Sequence, residues 1–238
     1  MTAAKRPRRA APEPELTEPV EDYLKVIYDI ELGGGAAATN DIAQRLDIAP
    51  ASVSGMVRRL ADHGLLAHER YRGVRLTDAG RRAALRTLRR HRVIESYLVQ
   101  ALGFAWDRVH EEAERLEHAA SDELVDRMAA AIGEPAFDPH GAPIPTREGA
   151  VDEPPHLPLA ELPTGMPARV SRVTDEDGDL LRYLGELGLH PGAAVRVRAR
   201  APFNGPLTLD VDGVERIVGL ELARQLRVAP EAAGRGRP

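Results

Sequence analysis

The sequence predicts a mainly α protein with small β parts: a winged helix-turn-helix head, a helical segment suited to metal, and a C-terminal β-barrel of SH3-like size. Three stretches predict this. Residues 39–77 read as helix, turn, helix and basic hairpin. The run HEEAERLEH at 110–118 gathers imidazoles and carboxylates on one helix face. From Ala168 onward the pattern changes to short alternating strands separated by turns.

Composition narrows the function classes. The 238-residue chain is 43% hydrophobic, enough for a core, and only 4% aromatic, which argues against a single-strand platform built on stacked bases. It has no cysteine, which excludes disulfides and thiolate metal sites and fits a reducing, cytoplasmic location. No apolar run reaches the roughly 18 residues of a membrane span, so no membrane partner is expected. The start MTAAKRPRRAAPEPE is basic but lacks the apolar segment of a secretory leader. The net charge of −5 hides an asymmetry. From Arg58 to Arg92 eleven arginines face three acids, a net of +8; from Asp107 to Asp126 eight acids face two arginines, a net of −6. Polyanion affinity is expected of the first segment and cation affinity of the second.

Residues 1–17, rich in Ala, Pro, Arg and Glu, read as a disordered arm, and 231–238 as a disordered tail. A first helix spans Pro19 to Leu32, with Val20, Tyr23, Leu24, Ile27 and Ile30 as its apolar stripe and Gly33-Gly34-Gly35 as its stop. Thr39 is the expected N-cap of a short helix, Asp47-Ile48-Ala49 the turn, and Pro50 the opening of a second helix that Gly64 closes. That second helix turns small residues outward, and small residues let a helix sit deep in the major groove. The candidate DNA contacts are Thr39, Ala49, Ala51, Ser52, Ser54 and Gly55, with Arg58 and Arg59 placed for phosphates. Residues 65–69 and 74–77 form the strands of a wing whose tip offers Arg70 and Arg72. No side chain here is an obvious bidentate base reader, so shape and methyl contacts carry more of the reading.

Thr77 caps a long helix from Asp78 to Leu102. Ala84, Leu88, His91, Glu95, Leu98 and Leu102 share one stripe, so His91 and Glu95 occupy its apolar face. A carboxylate there is costly unless it is paired or bound to a cation. In the next helical stretch, Val109, Ala113, Leu116 and Ala120 form the expected buried stripe, bordered by His110, Glu114, Glu117 and His118. Two imidazoles and two carboxylates side by side make poor packing and a good divalent-metal surface. His110 is followed at i+4 by Glu114 and not by His, so the zinc-protease pattern is absent and no enzymatic activity is expected. Gly133 to Pro167, with nine prolines, reads as an extended linker in which His140 is a surface residue. Asp175, Asp177, Asp179 and Glu186 stand at calcium-loop offsets, but Leu180 replaces the glycine that such a loop needs.

The assembled pattern resembles the iron- and manganese-dependent repressors of the diphtheria toxin repressor family, over roughly residues 18–230. The motifs that carry it are EDYLKVIY (21–28), the helix-turn-helix at 39–64, HRVIE (91–95), HEEAERLEH (110–118), SDE (121–123) and PHGAPIP (139–145). The resemblance implies a DNA-binding domain over 18–90, a metal-binding and dimerisation domain over 91–146, a Pro-rich linker over 147–167 and an SH3-like, FeoA-like domain over 168–230. It implies a homodimer on double-stranded operator DNA and two ions per subunit. A primary site would comprise Asp22, Glu114, Glu117 and His118. An ancillary site would comprise His91, Glu95 and His110, completed by Asp177 or by Asp179. In the iron-sensing branch, sulfur-bearing side chains hold the positions of Asp22 and Glu114. Hard oxygen donors at both favour Mn²⁺, with Fe²⁺ as second candidate. Lys25 stands where some manganese sensors carry a further acid, which disfavours a binuclear centre of that type. The function expected is metal-dependent repression of metal-homeostasis genes. The alternative is a winged-helix regulator responding to an organic ligand, with structural His/Glu pairs.

Overall fold

The computed structural model describes residues 16–174 and 177–231. The expected arm apart from Leu16 and Thr17, the tail beyond Glu231, and Asp175 of the discounted calcium-loop pattern lie outside them. The chain divides into two compact units, residues 1–85 and 86–238.

In the first unit, α1 (Glu18–Leu32) starts with proline in its first turn and buries Val20, Tyr23, Leu24 and Ile27. Two short helices follow, α2 (Thr39–Arg45) and α3 (Pro50–Asp62), joined by a turn in which Asp47 takes φ 51°. Thr39 is not the N-cap expected of it. Ala38, with extended φ −77° and ψ 148°, holds that place, and Thr39 is the first helical residue. Val53, Val57 and Leu60 carry the inward face of α3. The wing is an antiparallel hairpin of β1 (Leu66–Glu69) and β2 (Gly73–Leu76). It is widened by a bridge from Ala37, whose N–H donates to Val74 O at 2.8 Å and whose carbonyl accepts from Val74 N at 3.0 Å. Gly73 has φ 120°, and a Cβ there would stand 2.1 Å from Ala37 O, so only glycine permits this approach. Glu31, in the last turn of α1, accepts from Leu76 N at 2.7 Å and from Arg81 Nη2 at 2.5 Å, which ties the helix to the root of the wing.

The long helix α4 (Asp78–Leu102) starts as expected, with Thr77 Oγ1 accepting from Gly80 N at 3.1 Å. Its stripe is buried through Leu98, but Leu102 is 59% exposed. In the second unit α5 (Val109–Glu117) and α6 (Asp122–Ala131) are separate helices, the second capped by Ser121 Oγ on Leu124 N. Their core holds Val93, Ile94, Leu98, Val109, Ala113, Val125 and Ala129. Leu116 departs from the expected stripe. It is 38% exposed, and Glu117 takes the buried place because 109, 113 and 117 follow one line of the short helix.

The segment after α6 is not an extended tether throughout. Asp138 N donates to Ala142 O, and Ile144 N to Ala136 O. Arg89 and Arg92 of α4 donate to the carbonyls of Pro145 and Pro143 at 3.0 and 2.7 Å. The sheet domain also starts earlier than its strand pattern predicts. β3 (Leu157–Pro158) pairs with the last strand, and the 3-10 turn Leu159–Glu161 puts Leu159 into the core, where Leu162 joins it. Then come β4 (Pro167–Val173), α7 (Gly178–Glu186), β5 (Ala194–Arg200), β6 (Leu207–Val211), β7 (Val214–Val218), α8 (Leu220–Gln225) and β8 (Leu226–Pro230). The order is β3-β8-β4-β5-β6-β7, antiparallel throughout. The expected barrel is therefore an open sheet with β3 and β7 at its edges. β3 is only two residues long and one is proline, which leaves little to pair with β7.

Gly141 has φ 88°, and a Cβ there would lie 1.9 Å from Ser171 O of β4, whereas at Gly165, φ 83°, a Cβ would meet nothing within 4 Å. Gly165→Ala should cost about 1–2 kcal/mol for the left-handed backbone alone. Gly141→Ala should cost about 1–3 kcal/mol more through overpacking. Urea unfolding midpoints compare the two; equal midpoints would mean that the 138–145 turn is not seated against β4.

Candidate metal centre

The centre is built on the stretch of α4 from His91 to Ser96, which is buried on every side. His91 is 4% exposed and Glu95 1%. One turn apart, they place His91 Nε2 3.0 Å from Glu95 Oε1. α5 brings His110 against them, with Nδ1 3.4 Å from Glu95 Oε1 and 3.2 Å from His91 Nε2. These separations match neighbouring donors around one small divalent ion with bonds of about 2.1 Å. Glu95 Oε1 is buried and faces the imidazole nitrogens of His91 and His110. An anionic oxygen in that position calls for a cation. Burial opposes ionisation of Glu95, yet the charge of His91 and the nearby imidazoles of His110 and His140 hold its pKa well below the usual carboxylate range. The donor set is nitrogen and oxygen only, which suits first-row divalent ions.

His91 also faces the other way. Its Nδ1–H donates to Glu117 Oε2 at 2.5 Å, the arrangement by which a carboxylate fixes the tautomer of a metal-facing imidazole. Glu117 is fully buried, and its Oε1 lies 3.4 Å from His118 Nε2. Glu114 Oε1 stands 3.6 Å from His91 Nδ1 and 3.7 Å from His110 Nε2. The second half of the 110–118 stretch is thus brought together with the first through His91. His91, His110 and Glu114 also present donor atoms that all lie within 4.8 Å of one another.

Asp22 lies in the other unit, half-buried on α1, next to the buried Glu21. Asp177 is the N-cap of α7, and its Oδ1 accepts from Asp179 N and Leu180 N at 2.9 Å. It is not among the three convergent groups of metal-capable side chains found in the described residues. Asp179 is highly exposed and pairs with Arg182 at 2.9 Å.

His140 corrects the sequence expectation: it is not a surface residue but 4% exposed. Its Nε2–H donates to Trp106 O at 2.8 Å, and its Nδ1 lies 3.7 Å from Glu95 Oε2. Burial works against the imidazolium. The facing Glu95 carboxylate, the charge of Asp138 and the Trp106 carbonyl outweigh it and push the pKa up to about 9. Asp138 is 8% exposed; burial and the charge of Glu95 raise its pKa against the pull of Arg92 and His140. Periodicity could not find His140, because the turn that carries it has none. The one local signal was Gly141 directly after it.

In the head, α3 presents Ala51, Ser52, Ser54 and Gly55 to solvent, with Ala49 exposed before them and Thr39 half-buried on α2. Ser54 Oγ donates to Pro50 O at 3.1 Å. Arg58 and Arg59 are exposed, and Arg59 Nη2 contacts Met56 Sδ at 2.9 Å. At the wing tip the Arg70 guanidinium lies 4.8 Å above the Tyr71 ring, and Arg72 pairs loosely with Glu69 at 3.4 Å. The tip arginines therefore stand at the surface.

Comparison with known proteins bears on all three parts. Residues 15–74 match the N-terminal DNA-binding domain of the iron-dependent repressors, 77–146 their metal-binding and dimerisation domain, and 157–230 the FeoA domain. The iron-dependent repressor IdeR of Mycobacterium bovis is 34% identical over 227 residues, covering 90% of this chain and 98% of that protein. The diphtheria toxin repressor of Corynebacterium diphtheriae is 28% identical over the same shares. A solved manganese-dependent transcriptional repressor in complex with manganese superposes with a TM-score of 0.82 at 39% identity, covering 89% of this chain and all of that one. IdeR of T. acidophilum superposes at 0.75 with 32% identity, covering 91% and 99%. The M. bovis IdeR, above 30% identity, is thus matched along nearly its whole length, and the chain belongs to the iron-dependent repressor family that includes the diphtheria toxin repressor.

Proposed function

We propose that this metal-dependent DNA-binding repressor is activated by Mn²⁺, with Fe²⁺ as second candidate, that it takes two ions per subunit, and that it controls metal-homeostasis genes from the cytoplasm as a homodimer on operator DNA. The observation that carries the metal preference is Glu114, a carboxylate beside Glu117 and His118 in a chain without cysteine. Hard oxygen donors favour Mn²⁺ over softer-liking ions. Likeness to a repressor solved with manganese supports the same choice.

In this reading His91, Glu95 and His110 hold one ion, and Asp177 or Asp179 from the turn before α7 completes the set. Glu114, Glu117 and His118 hold the other with Asp22, whose membership rests on the family resemblance. A bound divalent ion supplies the positive centre that lets these carboxylates and imidazoles converge. Asp22 then restrains the head, and the fraction of molecules competent for DNA rises. Two α3 helices of a dimer read half-sites on successive turns of the duplex. The dimer surface is drawn from the end of α4 and from α6, where Leu102, Phe104 and Leu124 are exposed. Thr39, Ala49, Ala51, Ser52, Ser54 and Gly55 face the groove, while Arg58, Arg59, Arg70 and Arg72 meet phosphates.

Fluorescence anisotropy on operator DNA, titrated with Mn²⁺, anaerobic Fe²⁺, Zn²⁺ and Co²⁺ and reversed with a chelator, tests the reading. An organic-ligand regulator would keep its affinity through chelation. Glu114→Ala and His118→Ala should each abolish metal-stimulated binding while circular dichroism stays that of the folded chain; unchanged binding would remove these residues from the activating site. Arg72→Ala should weaken binding alike on all sequences and lower the salt slope by about 0.9 for each phosphate no longer neutralised. A change in sequence preference instead would make the wing a base reader.

A further inference from the structure

The Glu95–Asp138–His140 group is fully buried and has the composition of a metal site. Its hydrogen bonding argues otherwise. Asp138 Oδ1 already accepts from His140 N and Ala142 N, both at 2.9 Å. Asp138 Oδ2 faces Arg92 Nε at 3.6 Å, a cation already in place. His140 Nε2 is committed to the Trp106 carbonyl. What remains is Nδ1, aimed at Glu95 Oε2, while the other oxygen of the same carboxylate, Oε1, faces His91 and His110.

We propose that His140 is a positioning residue for the His91–Glu95–His110 group: its Nδ1 faces, at 3.7 Å, the Glu95 oxygen turned away from His91 and His110, and its other contacts tie that carboxylate to the C-terminal sheet domain. The inference rests on the reading that this group holds an ion. The anchor has three arms. The imidazole bonds to Trp106 O, and the Trp106 indole packs where Gly185 of α7 leaves room, 3.4 Å from the position a Cβ would take. The His140 carbonyl accepts from Val173 N of β4 at 2.9 Å. The next residue, Gly141, is pressed on Ser171. Outer partners that orient a carboxylate ligand act on metal affinity by about 10–100-fold. Here the partner sits where the turn meets the sheet domain, so the rotamer of Glu95 and the seating of that domain are set together.

The experiment is an equilibrium Mn²⁺ titration of the full chain against a chromophoric chelator. Glu95→Gln and Glu114→Gln identify which binding step belongs to which group. His140→Ala, with His140→Gln as a second variant, should weaken the step assigned to Glu95 by about 10–100-fold and leave the Glu114 step unchanged. In a Glu95→Gln background the effect of His140→Ala should vanish, as expected when two residues act through one interaction. Amide exchange at Val173 should slow on Mn²⁺ addition in the unaltered chain and not in His140→Ala. Equal weakening of both steps, or a loss that persists with Glu95→Gln, would reduce His140 to a general structural residue and overturn the proposal. A single ion bound by the unaltered chain would overturn the two-ion reading itself.

Discussion

The helical part of the second unit is arranged around ionisable groups buried in the middle of its core. His91, Glu95 and Glu117 are all under 5% exposed. Removing one partner from such a set leaves a buried charge uncompensated, at a cost of about 3–5 kcal/mol. The charges are tolerable only because each element that covers α4 brings a complement. α5 brings His110 and Glu117, the 138–145 turn brings His140 and Asp138, and α4 itself supplies Arg92. The surrounding apolar core, from Val93 to Ala129, holds these elements close enough for that pairing to occur.

His91 is the residue on which the two donor groups meet. One ring nitrogen faces Glu95 and His110; the other donates to Glu117. A single ring therefore cannot turn without disturbing both sets. The run at 110–118 is correspondingly one helix with two allegiances, its start turned to Glu95 and its end to Glu117 and His118.

Much of this was legible in the sequence because helices have a period. Positions 91 and 95 must share a face, and on α4 that face is apolar, so their burial followed from the spacing alone. Pro50 and Gly64 bracketed α3 for the same kind of local reason. What stayed hidden has no period. Asp138 and His140 sit in a Pro-rich turn held by backbone hydrogen bonds and by arginines from far along the chain, and no local rule reports such partners. Glu117 and not Leu116 is buried because it continues the i, i+4 line of Val109 and Ala113 on the short α5, and there its carboxylate meets His91. The alternating strands supplied the elements of the sheet, but its closure depends on how much edge two end strands offer each other, and β3 offers almost none.

The bridge between Ala37 and Val74 has a consequence for what the head can select. It turns the hairpin into part of the same small sheet that the α1–α2 connection joins, and Glu31 fastens its base. The distance from the small-residue face of α3 to the arginines at the tip is then a built-in gauge. In the proposed mode of binding, such a head would meet a duplex with α3 and the wing tip at a fixed separation. Where the groove is wider or narrower than the gauge, the DNA must do the bending, and the ease with which a sequence bends becomes part of its affinity. Discrimination can thus arise at base pairs that no side chain touches.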